Sequence, residues 1–199
     1  GHPWNAPLLD PLEMRGYRKS GKVAPLFSDE EIEELVLASL DRGDDYGRVL
    51  ALLATYGLRP WEGWLAEPSQ RHGDCVWIPI GKKSTKGTNP PREVPPFHPR
   101  WYELFDIETL WSKPLPVLAR REWSAGRVTR YLKRRFKIEY GTGRSAYGFR
   151  NAYARRIHSP EYRVTDGDGA LFMGHTVMVH NQVYRRWVAG SDDPIARYR

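Results

Sequence analysis

Apolar residues recur at helical spacing through the first third of the chain, then give way to alternation in the middle. Ile32, Leu35, Val36, Ser39 and Leu40 follow at three- and four-residue intervals, the spacing of one helix face. Ser28, with Glu31 three residues on, predicts a capping box that opens this helix, and Gly43 ends it. A second helix over about 45–56 carries Val49, Leu50, Leu52 and Leu53 and stops at Gly57. Pro60 suits the first turn of a short helix over 61–66. The period then changes. Residues 75–80 read as a strand, 92–95 as its partner, and the Gly, Lys, Ser, Thr and Asn stretch 81–91 as a long basic hairpin tip. Helical spacing returns over 98–109, and Pro114 and Pro116 mark a turn. Ser124 is expected to cap a helix to about Lys137, Ser145 another to His158. Asp168 is expected to begin a short helix to Met173, and a last helix runs from after His175 to about Val188. Residues 1–27, rich in Pro, Gly and basic side chains, read as a linker or extended arm, leaving 28–199 as one folded domain. Helices, a small antiparallel sheet, then helices predict an α+β fold, mostly helical.

Composition narrows the class. The 199 residues are 40% hydrophobic and 28% charged, so the chain can bury a core and is not a disordered one. A single cysteine, Cys75, excludes an internal disulfide framework and fits a reducing compartment, so a cytoplasmic location is expected. The longest apolar run, about 49–58, is half of the roughly 20 residues a membrane span requires. The N-terminus lacks the basic-then-apolar layout of a secretory signal. Opening on Gly1 rather than Met, the sequence reads as an excised piece whose upstream domain is missing.

Charge adds direction. The formal net charge is +7, and its distribution is uneven. Residues 1–119 sum to −3, 120–137 to +7 and 138–199 to +3, so the positive excess lies in the last 80 residues. Interleaved aromatics there (Trp123, Tyr131, Phe136, Tyr140, Tyr147, Tyr153, Trp187) suit a nucleic-acid backbone as partner. A solvated helix face on an ordinary basic protein gives the same pattern, and charge alone leaves both open.

Four places hold polar residues an apolar core would not choose. In Thr55-Tyr56-Gly57-Leu58-Arg59-Pro60-Trp61-Glu62, Glu62 stands three residues after Arg59 and can orient it; a plain surface ion pair is the alternative. The hairpin tip Lys82-Lys83-Ser84-Thr85-Lys86 can reach a phosphate or a leaving oxygen, or merely be solvated. Tyr147-Gly148-Phe149-Arg150 sets Tyr147 and Arg150 on one helix face. Gly174-His175 is followed nine residues later by Tyr184. A lone His or Tyr is ordinarily structural.

In this order the four resemble the tyrosine recombinases, the phage integrase family, over about residues 26–190. The first box matches closely (Thr-Tyr-Gly-Leu-Arg-x-x-Glu), the second is Tyr147-x-x-Arg150 where the family usually has His-x-x-Arg, and the third is Gly174-His175. The wording of the boxes looks like integrases of cyanobacteria and their phages. The resemblance implies the fold of that catalytic domain, with its small antiparallel sheet, and cleavage and rejoining of DNA through a covalent 3′-phosphotyrosine. It implies Arg59, Arg150, His175 and Tyr147 at the phosphate, Tyr184 as nucleophile, and a hairpin lysine as general acid. Distance to the returning strand favours Lys86 for that role, while the position just after the first strand favours Lys82 or Lys83; Lys86 is taken. Backbone contacts are expected from Lys82, Lys83, Arg130, Lys133, Arg134, Arg135, Arg155, Arg156 and Arg185.

Expected partners are double-stranded DNA and, on it, three further copies of the chain, with a monomer in isolation. No cofactor or metal is expected: no Walker loop, EF-hand or paired-Cys site is present. Rival readings are a type IB topoisomerase-like relaxase, an inactive DNA-binding module, and a metal hydrolase built on His158, His175 and His180, which lacks acidic ligands at a suitable spacing. Two departures from the family pattern matter. Tyr147 offers a hydroxyl in place of an imidazole, and Asn151 stands where many relatives carry a histidine.

Overall fold

The computed structural model describes residues 26–43, 45–79, 83–84, 87–88, 90–113, 125–140 and 144–184. The expected arm before residue 26, the turn at Pro114 and Pro116, the cap at Ser124 and the helical stretch beyond 184 lie outside them.

Helix α1 (Asp29–Asp41) starts at the capping box. The Glu31 amide donates to Ser28 Oγ at 3.2 Å and the Ser28 amide to Glu31 Oε2 at 2.9 Å, satisfying two amides that a helix start otherwise leaves unpaired. Its inner face presents Ile32 and Val36 to α2 (Asp45–Tyr56). Every described side chain of α2 is buried, from Tyr46 to Tyr56. It is the central post of the core, and α1, α6 and α4 pack around it.

Beyond Gly57, the helix expected over 61–66 is a single 3-10 turn, Glu62–Trp64. Strands β1 (Glu67–Pro68), β2 (Val76–Ile78) and β5 (Arg92–Val94) form an antiparallel sheet in the order β1-β2-β5, while β3 (Lys83–Ser84) and β4 (Gly87–Thr88) pair in the hairpin. Strand β1 is too short to show alternation, which is why the pattern missed it. The β2–β5 register sets Val76 opposite Val94 and Ile78 opposite Arg92, all four on the buried face.

The helical stretch 98–109 is broken into α3 (Trp101–Leu104) and α4 (Ile107–Ser112). Asp106 sits between them at φ 48°, left-handed, and accepts the Thr109 amide to start the second helix. Helix α5 (Ala125–Tyr140) turns Leu132 and Phe136 inward. Helix α6 (Tyr147–Ile157) is not capped by the Ser145 hydroxyl as expected: Ala146 is its N-cap, with no side-chain bond, and Ser145 contributes its carbonyl to the Gly148 amide. Ala146 is buried, so packing rather than a polar side chain fixes this helix start. Phe27, Phe136 and Phe149 meet edge-on, with centroids 5.2 to 6.0 Å apart, and tie the entry to α1 onto α5 and α6. Helix α7 (Asp166–Met173) begins two residues earlier than expected because Thr165 Oγ1 accepts the Asp168 amide, and α8 (Val177–Tyr184) follows. Among the described residues no helix is long and apolar enough to cross a membrane.

Candidate active site

The C-terminus of α7 is where the separated motifs meet. Gly174 ends this helix at φ 61°, its amide donating back to the carbonyls of Ala170 and Leu171, and the His175 amide donates to Ala170 O at 3.0 Å. This is a glycine stop of the left-handed kind. The next three carbonyls, which such a stop leaves without helical partners, are each taken by a different arginine. Arg92 Nε donates to Phe172 O (2.9 Å), Arg150 Nη2 to Met173 O, and Arg59 Nη2 to Gly174 O (2.7 Å). A Cβ on Gly174 would stand 2.7 Å from Arg92 Cζ, so the Gly of the Gly-His pair is required both by its φ and by an arginine lying against it.

Gly57 plays the matching part at the end of α2. Its φ is 60°, its carbonyl accepts Arg150 Nη1 at 2.7 Å, and a Cβ there would come within 2.4 Å of the Tyr153 ring. The turn it makes sends Arg59 back toward α7. Glu62 holds Arg59 twice, accepting its backbone amide and its Nη1, both at 2.8 Å. Arg92 Nη2 reaches the same carboxylate at 2.9 Å. The pair Arg59–Glu62 is therefore no plain surface ion pair, since Glu62 is fully buried and the Arg59 side chain is 11% exposed.

Three guanidiniums against one carboxylate leave two positive charges in excess within this interior. Burial alone would raise the Glu62 carboxyl, but Arg92 first, then Arg59 and Arg150, hold it down at about 2. Burial, then the neighbouring Arg150 charge, press the Arg59 pKa downward, as expected where cations outnumber anions. His175 stands at 3.4 Å from Arg150 Nη2, and burial, followed by Arg150 and His180, lowers it to about 2. The site is short of negative charge, and its histidine is neutral. That is the electrostatic complement of a phosphodiester.

Acid should therefore unfold the domain early. Glu62, held below its ordinary 4.5, contributes stability above that value and loses it as pH falls toward 2. His175 and His180, lowered from 6.5 to about 2 and about 4, must stay neutral in the fold, so the unfolded chain gains protons that the fold refuses as pH drops below 6.5. The signs agree: stability falls as pH falls from 6.5. By pH 5 each histidine contributes on the order of 2 kcal/mol of loss. Urea unfolding at pH 7, 6 and 5 checks this, and equal stability at all three would contradict it.

The other expected site residues are dispersed. Tyr147 opens α6 and is exposed, one turn before Arg150, which is buried. Tyr184 is the last residue of α8. Lys83 lies in β3, whereas Lys82, Lys86 and Arg185 lie outside the described residues. On α5, Arg130, Lys133 and Arg134 are exposed with Arg127 and Lys137, opposite Leu132 and Phe136. Arg135 is half-buried over the Tyr46 ring at 5.5 Å. Arg155 is half-buried, 3.9 Å from Asp29. Arg156 departs from the expectation of a backbone contact: it is 7% exposed, 4.2 Å above the Trp101 ring and bonded to Asp29 Oδ1. Stacking on an aromatic and pairing with a carboxylate make it a strut between α6 and the α1 start.

Two residues went unnoticed as site members. Arg92 alternates with Val94, so period two already put a guanidinium on the core side of β5. His180 lies five residues after His175, and in the sequence it suggests only a metal ligand. Among the described residues no group of histidine, cysteine or acidic side chains could hold a metal ion.

No family model matches the chain. It is 31% identical over 165 residues to Excisase C of Nostoc sp., an alignment covering 74% of this chain and 30% of that protein. The chain thus spans about a third of that relative's length. Its fold is similar to the crystal structure of XerA recombinase, with a TM-score of 0.57 at 14% identity, covering 89% of this chain and 66% of that one. It is also similar to the Tn1549 transposon integrase in complex with transposon right-end DNA, with a TM-score of 0.55 at 12% identity, covering 90% and 66%.

Proposed function

We propose that this chain is a member of the tyrosine recombinase and integrase family and that it cuts and rejoins duplex DNA at specific sites. The observation that carries the proposal is the convergence of Arg59 and Arg150 on the Met173–Gly174 carbonyls beside His175, with two positive charges in excess. A scissile phosphate placed there meets planar donors where charge develops on its non-bridging oxygens. Tyr184 supplies the attacking phenol oxygen: the O–P bond forms, the P–O5′ bond breaks, and a 3′-phosphotyrosine stores the bond energy for rejoining. The phenol gives up its proton to solvent, and the departing 5′-oxygen takes one from a hairpin lysine, Lys86, with Lys82 and Lys83 as neighbours. Tyr147 adds a hydroxyl at the rim. The reaction draws on side chains throughout and calls for no metal.

Duplex DNA is the partner, with four protomers gathered on two duplexes and a monomer in its absence. Incubation with a nicked suicide substrate should trap a covalent protein–DNA adduct on a denaturing gel. No adduct with any duplex carrying the cognate site would end this reading in favour of a binding module.

The α5 face makes a second expectation quantitative. If Arg127, Arg130, Lys133, Arg134 and Lys137 each neutralise one phosphate, log K against log salt should slope at about −4.5. Replacing Arg130, Lys133 and Arg134 by Ala should flatten it by about 3. A slope that the triple variant leaves unchanged would put the DNA on another face.

A further inference from the structure

His175 is the first of three histidines joined ring to ring. Its Nε2 lies 2.8 Å from His180 Nδ1, His180 Nε2 lies 2.5 Å from His158 Nε2, and His158 Nδ1 lies 3.0 Å from Val164 O. The row ends on a carbonyl, which can only accept, and for three neutral rings this fixes every proton along it. His158 donates from Nδ1, so its Nε2 accepts from His180 Nε2–H. His180 Nδ1 then accepts from His175 Nε2–H, leaving His175 Nδ1 bare toward Arg150 Nη2 at 3.4 Å. One tautomer at each ring satisfies all four contacts.

The row is built rather than incidental. His180, on α8, is 1% exposed. Gly169 of α7 lies where the second and third rings meet, and a Cβ there would stand 3.0 Å from His180 Nε2 and 3.1 Å from His158 Nε2. The three rings come from the end of α6, from the turn after α7 and from α8, so the row also ties together the elements that carry Arg150 and Tyr184. The charged groups facing it are Arg150 from α6, Arg59 and Arg92 beyond His175, and Asp166 at the α7 start. All but Asp166 disfavour an added proton.

We propose that His180, itself oriented by His158, is a positioning residue that holds His175 in its Nε2–H tautomer, so that His175 Nδ1 accepts from Arg150 and fixes the guanidinium that meets the scissile phosphate. This rests on the recombinase reading above. The requirement on His180 is specific: an acceptor at the Nδ1 position, which an Asn side-chain oxygen reproduces and a Leu does not.

The test uses the full chain, with and without DNA. In ¹⁵N-histidine spectra of the free protein, His175 and His180 should be neutral and protonated at Nε2, and His158 protonated at Nδ1. His180→Asn should keep the His175 tautomer and most of the cleavage rate. His180→Leu should lose the tautomer preference and cleave more slowly by roughly 10- to 100-fold, the scale of a small misplacement of a reacting group. His175 protonated at Nδ1 in the wild type would overturn the proposal, as would equal losses in the Asn and Leu variants or an unimpaired Leu variant. The spectra require no DNA, so if the wild type forms no adduct the recombinase reading fails while the tautomers still decide this one. If the Leu variant does not fold, the wild-type and Asn spectra decide it.

Discussion

Tyr184→Phe should abolish the covalent adduct outright while leaving DNA binding intact. The substitution removes one oxygen and keeps the ring, so folding should change by well under 1 kcal/mol. Chemistry has no such tolerance, because the lost atom is the one proposed to attack phosphorus. The fold narrows the competition among tyrosines. Tyr153 is fully buried, donates its hydroxyl to Pro95 O at 3.0 Å, and burial pushes its phenol well above the ordinary range. Tyr56 is likewise buried, bonded to Asp74 O at 2.9 Å, and raised by burial. Tyr147 is the exposed alternative near the site. Mass spectrometry of the DNA-linked peptide separates residue 147 from residue 184. Adduct persisting in Tyr184→Phe, or mapped to another tyrosine, would refute the assignment.

The arginines should prove as necessary to rate, though not to affinity. Arg59→Lys or Arg150→Lys keeps the charge and loses the planar pair of donors. Each should slow cleavage on the order of 10²–10³, as removal of one donor from a developing oxyanion does, equal to about 2.7–4 kcal/mol of barrier. Binding should fall by far less, since the α5 cations remain. Arg150 also bonds Gly57 O and Met173 O, so its variant should lose thermal stability, whereas the 11%-exposed Arg59 side chain should lose less. Single-turnover cleavage beside filter binding and thermal unfolding separates the effects. A wild-type cleavage rate in either variant would remove the phosphate-clamp role.

Local chemistry alone determined a good part of this molecule. The capping box at Ser28 and Glu31, the glycine stop at Gly57 and the antiparallel pair around 76–78 and 92–94 depend on neighbours in sequence or on period two, and each stands in the structure as the pattern predicts. The order of Arg59, Arg150, Gly174-His175 and Tyr184 was legible for the same reason: a motif is a local string. Where the chain had to choose between two locally adequate answers, tertiary contacts decided. Ser145 could have capped α6, but a buried Ala146 fixed its start; residues 98–109 could have been one helix, but Asp106 breaks them. Arg156 reads as a solvent cation until Trp101 and Asp29, 55 and 127 residues away in sequence, take it into the interior. Arg92 and His180 belong to the site only because β5 and α8 close on the end of α7, leaving carbonyls for three guanidiniums and a row for three imidazoles. Local sequence carries propensity and period; which buried charge meets which partner depends on distances that exist only once the chain has folded.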